Sequence, residues 1–437
     1  MIEASHFDPA EAYAAVDRHR LDDQTPYLYR TRDYGATWQR ITDGLEAPSF
    51  LRAVREDPET KGLLFAGTEL GIVVSFSDGD HWQSLQWNLP ATSVEDMVIH
   101  GDDLVIATHG RSFWILDDIT PLRQTGEAGK AAQAFLYRPA TAMRVDNDTF
   151  LSTPLPPEEP AAENPPDGAI LDYYLTGAAR QVKLDIFDAQ HTLVRAFSSD
   201  DREEAKHPPQ AIAERWLPKP QLLEKTQGMH RFVWDLRWGT AGMKSTDESE
   251  DSESSLPHGP RAAPGSYEVR LTVDGATFPQ SLEVRMDPRA TATPEELDRQ
   301  TDLGRGILTT LKDGQTVRNE VDRVDRQLSQ LEAKANAHPE LVTEIRQLRS
   351  DIAKIIAGEP GGDVSGLKKA NSGLEAALGV VETSDRAIPS QALTVFDTSI
   401  AELKSRVAEW DGLKKTLLSQ LNRQLQQAGM ATISGGK

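Results

Sequence analysis

The chain has 437 residues, of which 38% are hydrophobic, and its formal net charge is -21. This is enough apolar material for two to four domains, since a single core rarely grows beyond about 250–300 residues. The negative charge, with no basic block, argues against nucleic acid or an anionic membrane as a partner, and the lack of cysteine excludes disulfides, zinc–thiolate sites and thiol chemistry.

The first residues, MIEASHFDPAEAYAAV, lack a basic segment followed by an apolar one, and so they predict no signal peptide in this chain. No run reaches the roughly 18 apolar residues that would predict a membrane span.

Residues 1–124 consist of short apolar runs separated by turn residues, which predicts an all-β region with strands of four to six residues. Two stretches superpose within it, Thr31 to Ile41 and Ser75 to Leu85, and their tryptophans, Trp38 and Trp82, are 44 positions apart. That spacing is typical of a repeated four-stranded unit. The runs are YAAV, YLYRT, LLFAGT, GIVVSF, DMVIH, DLVIATH and SFWIL.

Residues 125–167 lose this order and end in the proline-rich PLPPEEPAAENPPDG, so we assign them to a linker. From 168 to 290 the alternation of apolar and polar residues returns and predicts a half-buried antiparallel β-sandwich. Two polar stretches interrupt it, at 198–216 and 245–255, and we expect the second to be a disordered loop. The apolar positions that share one face are Val182, Leu184, Ile186, Phe232, Trp234, Leu236, Tyr267, Val269 and Leu271.

Residues 291–437 change to a helical period, with apolar residues at alternating steps of three and four. Thr293 and Pro294 supply an N-cap and a first helical residue, and Pro389 separates later helices. We expect a helical bundle or hairpin, in which the stripes pack on each other rather than on a partner as a coiled coil. The three stripes are Val317, Val321, Val324, Leu328 and Leu331; Leu341, Ile345, Leu348, Ile352 and Ile355; and Leu393, Phe396, Ile400, Leu403, Val407, Trp410, Leu417 and Leu421.

The segment from Thr31 to Trp38 satisfies the pattern Ser/Thr-x-Asp-x-Gly-x-x-Trp in full. Asp33 can accept hydrogen bonds from turn amides, Gly35 can take positive φ, and Trp38 is predicted to fill the adjacent core. In the second copy Ser77 stands where the pattern has Asp, which predicts a differently bonded turn.

This pattern resembles the Asp-box, or BNR repeat, which sialidases, xyloglucan-cleaving hydrolases, sortilin-type receptors and photosystem assembly factors carry on β-propeller blades. The stretch ATHGRSFWILDD at 107–118 looks like the closing blade of large bacterial BNR-repeat proteins, and the strands near 228–237 and 264–271 resemble a flagellar-hook-cap type of immunoglobulin-like domain. The resemblance implies a multidomain, mainly β fold with a partial propeller at 1–124. It also implies structural roles in the Asp-boxes for Thr31, Asp33, Gly35, Trp38, Ser75, Gly79 and Trp82.

His109 and Arg111 are the weak candidates for a binding site, because a cation and an imidazole beside Gly110 at a strand end can face a propeller's channel. The residues favour a hydrogen bond that closes the blade as the role of this pair over ligand binding. The sequence assigns no catalytic residue, no cofactor and no metal ligand, since Asp22-Asp23 and Asp102-Asp103 lack a spaced calcium pattern.

Three functions stay open. The first is a non-catalytic scaffold for glycans or proteins, and the second is a fragment of a sialidase- or xyloglucanase-like glycoside hydrolase whose catalytic residues lie mostly on missing N-terminal blades. The third is an assembly protein that oligomerises through the helical tail. About two and a half blades cannot close a propeller, so further blades or another chain are expected to complete it. The resemblance implies a periplasmic or extracellular location for the intact protein.

Overall fold

The computed structural model describes residues 1–145, 165–201, 221–240, 259–335, 338–358 and 366–433. Within these ranges the chain is a mixture of sheet and helix, with strands first and helices in the C-terminal third. Most of the predicted polar stretch 198–216 and all of 245–255 lie outside the described residues, as does most of the proline-rich segment. In the described part, no helix has the length and apolar character needed to cross a membrane.

The first 116 residues form three successive antiparallel sheets, and in each the strands pair in chain order. Seven of the strands coincide with the predicted apolar runs, whereas β1, β4, β5 and β8 were not predicted. Sheet 1 contains β1 (Ile2–Ala4), β2 (Ala12–Val16), β3 (Tyr27–Thr31) and β4 (Gln39–Arg40). Sheet 2 contains β5 (Leu51–Glu56), β6 (Leu64–Thr68), β7 (Ile72–Ser75) and β8 (Gln83–Ser84), and sheet 3 contains β9 (Val94–His100), β10 (Asp103–Thr108) and β11 (Phe113–Leu116).

Sheet 2 lies between the other two sheets and is covered on both faces. Every residue of β6 is buried. One core, which includes Tyr13, Leu28 and Trp82, joins sheet 1 to sheet 2, and a second core, which includes Phe65 and Leu104, joins sheet 2 to sheet 3. Sheets 1 and 3 therefore each have one face in a core and one face directed away from it.

Two further sheets enclose a single apolar core. One has the order β12-β14-β17 and the other β13-β19-β18-β15-β16. The inward positions predicted from alternation, such as Leu184, Trp234 and Val269, are buried in this core. The strands are β12 (Ala134–Leu136), β13 (Ala142–Arg144), β14 (Ala169–Leu175), β15 (Val182–Phe187), β16 (Leu193–Ser198), β17 (Gly228–Trp234), β18 (Gly265–Val273) and β19 (Ala276–Met286).

The assignment of 125–167 to a linker is wrong for its first part. Two short helices, α1 (Thr120–Arg123) and α2 (Thr125–Ala128), precede β12, and both β12 and β13 lie within that range. β12 pairs with β14, and β13 pairs in parallel with β19, about 140 residues later in the chain. β12 and β13 have only three residues each, which is too short to show an alternation of apolar and polar residues. The partner of β13 is so distant in the sequence that no local pattern indicates their pairing.

The C-terminal third consists of α3 (Pro294–Lys334), α4 (Pro339–Ala357), α5 (Leu367–Glu382), α6 (Ser390–Leu413), a π-helical turn at Lys414–Leu418 and α7 (Ser419–Gln427). The predicted cap is present, because the Thr293 side chain accepts from the Glu296 amide and the Glu296 carboxylate accepts from the Thr293 amide. One apolar core joins all five helices.

The last predicted helical stripe is only partly correct. Leu403, Trp410 and Leu421 are buried, but Leu393 and Leu417 are 41% and 39% exposed. The π-helical turn shifts the angular position of Leu417 relative to Leu403 and Trp410, whereas Leu393, in the first turn of α6, lies beside the buried position Ala392.

A buried polar network connects the two-sheet region to the helices. Arg144 on β13 donates to the Asp385 carboxylate at 2.7 Å and to Oε1 of Gln300 on α3 at 2.6 Å, and the side chains of Arg144 and Asp385 are 1% and 2% exposed. Arg237 pairs with Glu382 at 2.5 Å in the same junction. Arg144 and Asp385 therefore pair out of contact with water, whereas the Arg237–Glu382 pair is partly exposed.

Candidate functional site

The turn between β3 and β4 is built from the residues of the first Asp-box pattern. The Gly35 amide donates to Thr31 Oγ1 at 2.9 Å, and the Thr37 amide donates to Asp33 Oδ1 at 2.8 Å. Thr31 and Thr37 also donate their hydroxyls to the Asp33 carboxylate. Hydrogen bonding holds the pKa of Asp33 below its usual range, with the Thr37 hydroxyl as the largest cause.

The second turn keeps the same backbone bonds although Ser77 replaces the aspartate. The Gly79 amide donates to Ser75 Oγ and the His81 amide donates to Ser77 Oγ, both at 3.0 Å. The expectation of a differently bonded turn is therefore wrong for the backbone, because a serine hydroxyl can reach the same amide that the aspartate reaches in the first turn.

The two tryptophans of the repeat have different surroundings. Trp82 is 1% exposed, lies in the core between sheets 1 and 2, and donates its indole N–H to the Ile41 carbonyl at 3.0 Å. Trp38 is 41% exposed, so the prediction that it fills a core is wrong. The difference arises because sheet 1 receives Trp82, whereas the described residues place no sheet against Trp38.

At the opposite end of the sheets, two β-bulges place an arginine against a glutamate. The register of β5 against β6 shifts between Leu51 and Ala53, and that of β10 against β9 shifts so that Thr108 opposes Val94. Arg52 and Glu95 are the extra residues of these bulges, and their side chains pair at 3.2 Å. A bulge re-aims the side chain of its extra residue, which explains why both side chains reach this end.

Arg52 is the centre of a charged cluster. Besides Glu95, it lies 3.4 Å from the Glu69 carboxylate and 3.8 Å from that of Asp17, and it donates to Ser93 Oγ at 3.0 Å. Three carboxylates thus surround one guanidinium on a partly exposed surface. An arginine held in this way is not free to bind an anionic ligand, and the cluster keeps surplus negative charge.

His19 supports the edge of this cluster. Its ring stacks on Phe50 at 4.7 Å, and its Nδ1 lies 2.6 Å from the Asp17 carboxylate. Burial opposes the ionisation of Asp17, but hydrogen bonds from the backbone and ring of His19 outweigh it and lower the pKa of Asp17. Asp17 is therefore ionised near neutral pH and is a hydrogen-bond acceptor there.

The two binding candidates from the sequence lie on the β10–β11 turn at this same end. The His109 amide donates to the Ser93 carbonyl at 2.8 Å, while the ring is 83% exposed and lies 3.9 Å from Glu95. Arg111 is exposed, and its carbonyl accepts from the Trp114 indole at 2.9 Å. The structure therefore places the His109 ring next to Glu95 of the Arg52 cluster. Arg111 stabilises the turn through its backbone carbonyl, which accepts the hydrogen bond from Trp114.

An exposed tryptophan lies at the same end of the sheets, on the loop that follows β8. Trp87 is 67% exposed and has φ of 37°, in the left-handed region that side chains seldom adopt. The preceding Gln86 donates its side-chain amide to the Leu70 carbonyl at 3.2 Å, which fixes this loop next to Glu69. Leu70 is itself 54% exposed. Strained backbone of this kind is concentrated at ligand-binding positions.

Carboxyl groups with a raised pKa lie elsewhere. Burial raises the pKa of Asp118, and burial together with Asp103 raises that of Asp117. Both follow β11, at the end of sheet 3 opposite the His109 turn. Within the described ranges, no cluster of His, Asp or Glu has the geometry to hold a metal ion.

Sequence reasoning missed Arg52, Glu95 and Trp87. Arg52 and Glu95 occupy corresponding positions, 43 residues apart, in the segments SFLRA and TSVED that span the starts of β5 and β9 in the repeat. Aligning these segments identifies the two positions but not the bulges. Trp87 is visible only as a tryptophan outside the repeat pattern.

Neither a family model nor a curated protein matches the chain. Among solved structures, it is similar to an ancestral GH74 enzyme (18% identity, TM-score 0.22) over 25% of this chain and 13% of that one. YCF48 bound to D1 peptide has 14% identity and a TM-score of 0.21, over 45% of this chain and 53% of that one. The extracellular domain of a hybrid two component system from B. thetaiotaomicron has 9% identity and a TM-score of 0.19, over 60% and 29%. These neighbours are propeller-type proteins of which this chain spans about half or less, and scores this low carry no functional argument.

Proposed function

We propose that this chain is a non-catalytic binding scaffold of the Asp-box propeller type. It binds its ligand at the loop end of the three sheets, by which we mean the end that carries the Arg52 cluster, opposite the Asp-box turns. The proposal rests on Trp87, a largely exposed indole on left-handed backbone, whose loop is tied through Gln86 to Leu70, the residue after Glu69 of the Arg52 cluster. An aromatic face next to convergent polar groups is the usual composition of a binding surface.

A neutral glycan is the ligand class that this surface fits best. The C–H face of a sugar ring stacks on an indole, and the carboxylates of Glu69 and Glu95 and the ring of His109 offer partners for hydroxyl groups. The three carboxylates around Arg52 disfavour an acidic sugar such as a sialic acid, because they occupy its guanidinium and repel a further anion. A polypeptide is the alternative ligand, and binding to glycan and peptide arrays distinguishes it from a neutral glycan.

At the end of the sheets that carries the Arg52 cluster, the carboxyl groups favour binding over hydrolysis. A glycoside hydrolase requires a carboxylic acid with a raised pKa close to a second carboxylate. At the loop end the carboxylates pair with Arg52, and the pKa of Asp17 is lowered rather than raised. Asp117 and Asp118, whose pKa values are raised, lie beyond the other end of β11.

We also propose that the two-sheet region is an immunoglobulin-like sandwich and that α3–α7 are a helical bundle. The shared core of the two sheets supports the first assignment, and the single core of the five helices supports the second. A role in an exported protein, periplasmic or extracellular, follows from the resemblance of the repeat to BNR proteins.

The test is a glycan array probed with the purified chain, followed by calorimetric titration with the best ligand. We expect a neutral oligosaccharide to bind and Trp87→Ala to weaken it by at least about tenfold, or about 1.4 kcal/mol. Tyr34→Ala is the matched control, since Tyr34 is an exposed aromatic residue with φ of 58° on the turn at the other end of sheet 1.

Equal affinity of the Trp87→Ala variant and the wild type would contradict the proposed site. Binding to a peptide array but to no glycan would favour the polypeptide ligand. Release of reducing ends from the bound oligosaccharide, abolished by Glu95→Gln, would show that the chain is a hydrolase instead.

A further inference from the structure

The centre of the outward face of sheet 3 is apolar, with Asp96, His100 and Asp103 at its margins. Val98, Val105 and Ile115 are directly opposite one another across β9, β10 and β11, and Ala107 is opposite Phe113 in the next row of the same face. Val98, Phe113 and Ile115 are 53%, 77% and 57% exposed. An antiparallel sheet with one face in water normally carries polar residues on that face, so this composition indicates a covered surface.

The outward face of sheet 1 has the same character. Ile2, Ala14 and Tyr29 form one cross-strand row that ends at Arg40, and Val16 is opposite Tyr27 in another, where Arg18 and Arg40 lie over the Tyr27 ring. Ile2 is 70% exposed. The alternate residues of these strands, Tyr13, Ala15 and Leu28, are buried against sheet 2.

The packing of sheet 2 on sheet 1 shows what kind of surface the outward face of sheet 1 is expected to contact. Sheet 2 presents Trp82 and Gly79 to sheet 1, and a Cβ atom added at Gly79 would lie 2.5 Å from Ile41 Cδ1. The equivalent residues of sheet 1 are Trp38 and Gly35. A Cβ atom at Gly35 would meet only Trp38 of its own turn, at 3.9 Å. The outward face of sheet 1 is thus the kind that packs on a preceding sheet.

Sheet 3 supplies the complementary kind of face. Its inward residues, such as Leu104 and Ile106, pack on sheet 2 as sheet 2 packs on sheet 1. Its outward face corresponds to the face of sheet 1 that receives Trp82. One chain therefore carries both halves of a sheet-to-sheet contact, on opposite sides.

We infer that the outward face of sheet 1 docks on the outward face of sheet 3 of a second copy of this chain. The contact is heterologous, because two different faces meet. Trp38 of one copy packs on sheet 3 of the other copy in the way that Trp82 packs on sheet 1 within a single chain. Repetition of this contact gives a closed ring or an open filament. The inference does not depend on the proposed ligand site, which lies at the loop end of the sheets.

The first test is sedimentation velocity of the full chain over a concentration series up to roughly 100 μM. We expect the wild type to associate, and Trp38→Lys and Phe113→Lys each to weaken association by at least about tenfold. Ile2→Lys is a second variant for sheet 1 in case Trp38→Lys fails to fold. Leu193→Lys on β16 is the matched control, since Leu193 is 49% exposed in the two-sheet region.

Mixing the two variants tests the direction of the contact. Trp38→Lys retains an intact sheet 3 face and Phe113→Lys an intact sheet 1 face, so an equimolar mixture should form a 1:1 dimer and nothing larger. A monomeric wild type would overturn the inference. So would association of either variant alone as tight as that of the wild type, which would indicate a like-to-like contact or assembly through the helices, and so would loss of association in Leu193→Lys.

Discussion

Gly35 and Gly79 occupy corresponding positions in two similar turns, with φ of 87° and 82°. Alanine at either position has to adopt left-handed backbone, which costs about 1–2 kcal/mol. At Gly79 the added methyl group also meets Ile41, and overpacking of this kind costs about 1–3 kcal/mol more. We therefore expect Gly79→Ala to lower the free energy of unfolding more than Gly35→Ala, as measured by urea denaturation. Equal losses would mean that sheet 1 does not press on the second turn.

The Asp17–His19 contact makes a prediction about pH. Because the pKa of Asp17 is lower in the folded state than its ordinary value of about 3.9, the ionised group stabilises the fold above that pH, and this contribution is lost as the pH falls through the lowered pKa. We expect His19→Ala to raise the pKa of Asp17 towards its ordinary value, as measured by NMR titration of the carboxyl carbon. His191→Ala, in the two-sheet region, should leave it unchanged.

Helix α6 illustrates how a regular spacing divides into buried and exposed positions. Leu403 is 4% exposed and faces α3, where a Cβ atom at Gly314 would lie 2.6 Å from its Cδ1, whereas Leu393 is 41% exposed. We expect Leu403→Ala to cost about 2–5 kcal/mol and Leu393→Ala no more than about 0.5 kcal/mol. Urea denaturation followed by circular dichroism at 222 nm measures both. If both variants lost a similar free energy of unfolding, Leu393 would belong to the buried stripe that the sequence predicted.

For the molecule as a whole, the polar network around Arg144 determines whether the helices and the two-sheet region act together. Removing Arg144 takes away a cation from beside the buried Asp385, a change that typically costs about 3–5 kcal/mol. We expect Arg144→Ala to cause a loss of this order and to speed hydrogen exchange at the start of α3 and in β13. Arg285→Ala, which removes an exposed ion pair with Glu283, should change neither.

Much of the fold follows from local patterns. Residues 27–31 and 265–273 each contain five or more residues that are mostly apolar or that alternate between apolar and polar, with turn residues on both sides. Both segments are strands. β4 and β8 have two residues each and carry no such signal, and β13 depends on a partner about 140 residues away. The candidate site was harder to predict, because Arg52 and Glu95 meet only through bulges that are defined by strand register.

The sequence by itself determined the repeated turns, the change from strand to helix near residue 291 and the inward positions of most strands, because each depends on residues that are close together in the chain. Tertiary structure alone decided that Trp82 is buried while Trp38 is exposed. The two residues occupy the same place in one pattern, and what differs is the neighbouring sheet. It also decided that Arg52 is surrounded by three carboxylates, since these come from three separate segments whose proximity depends on how the sheets pack.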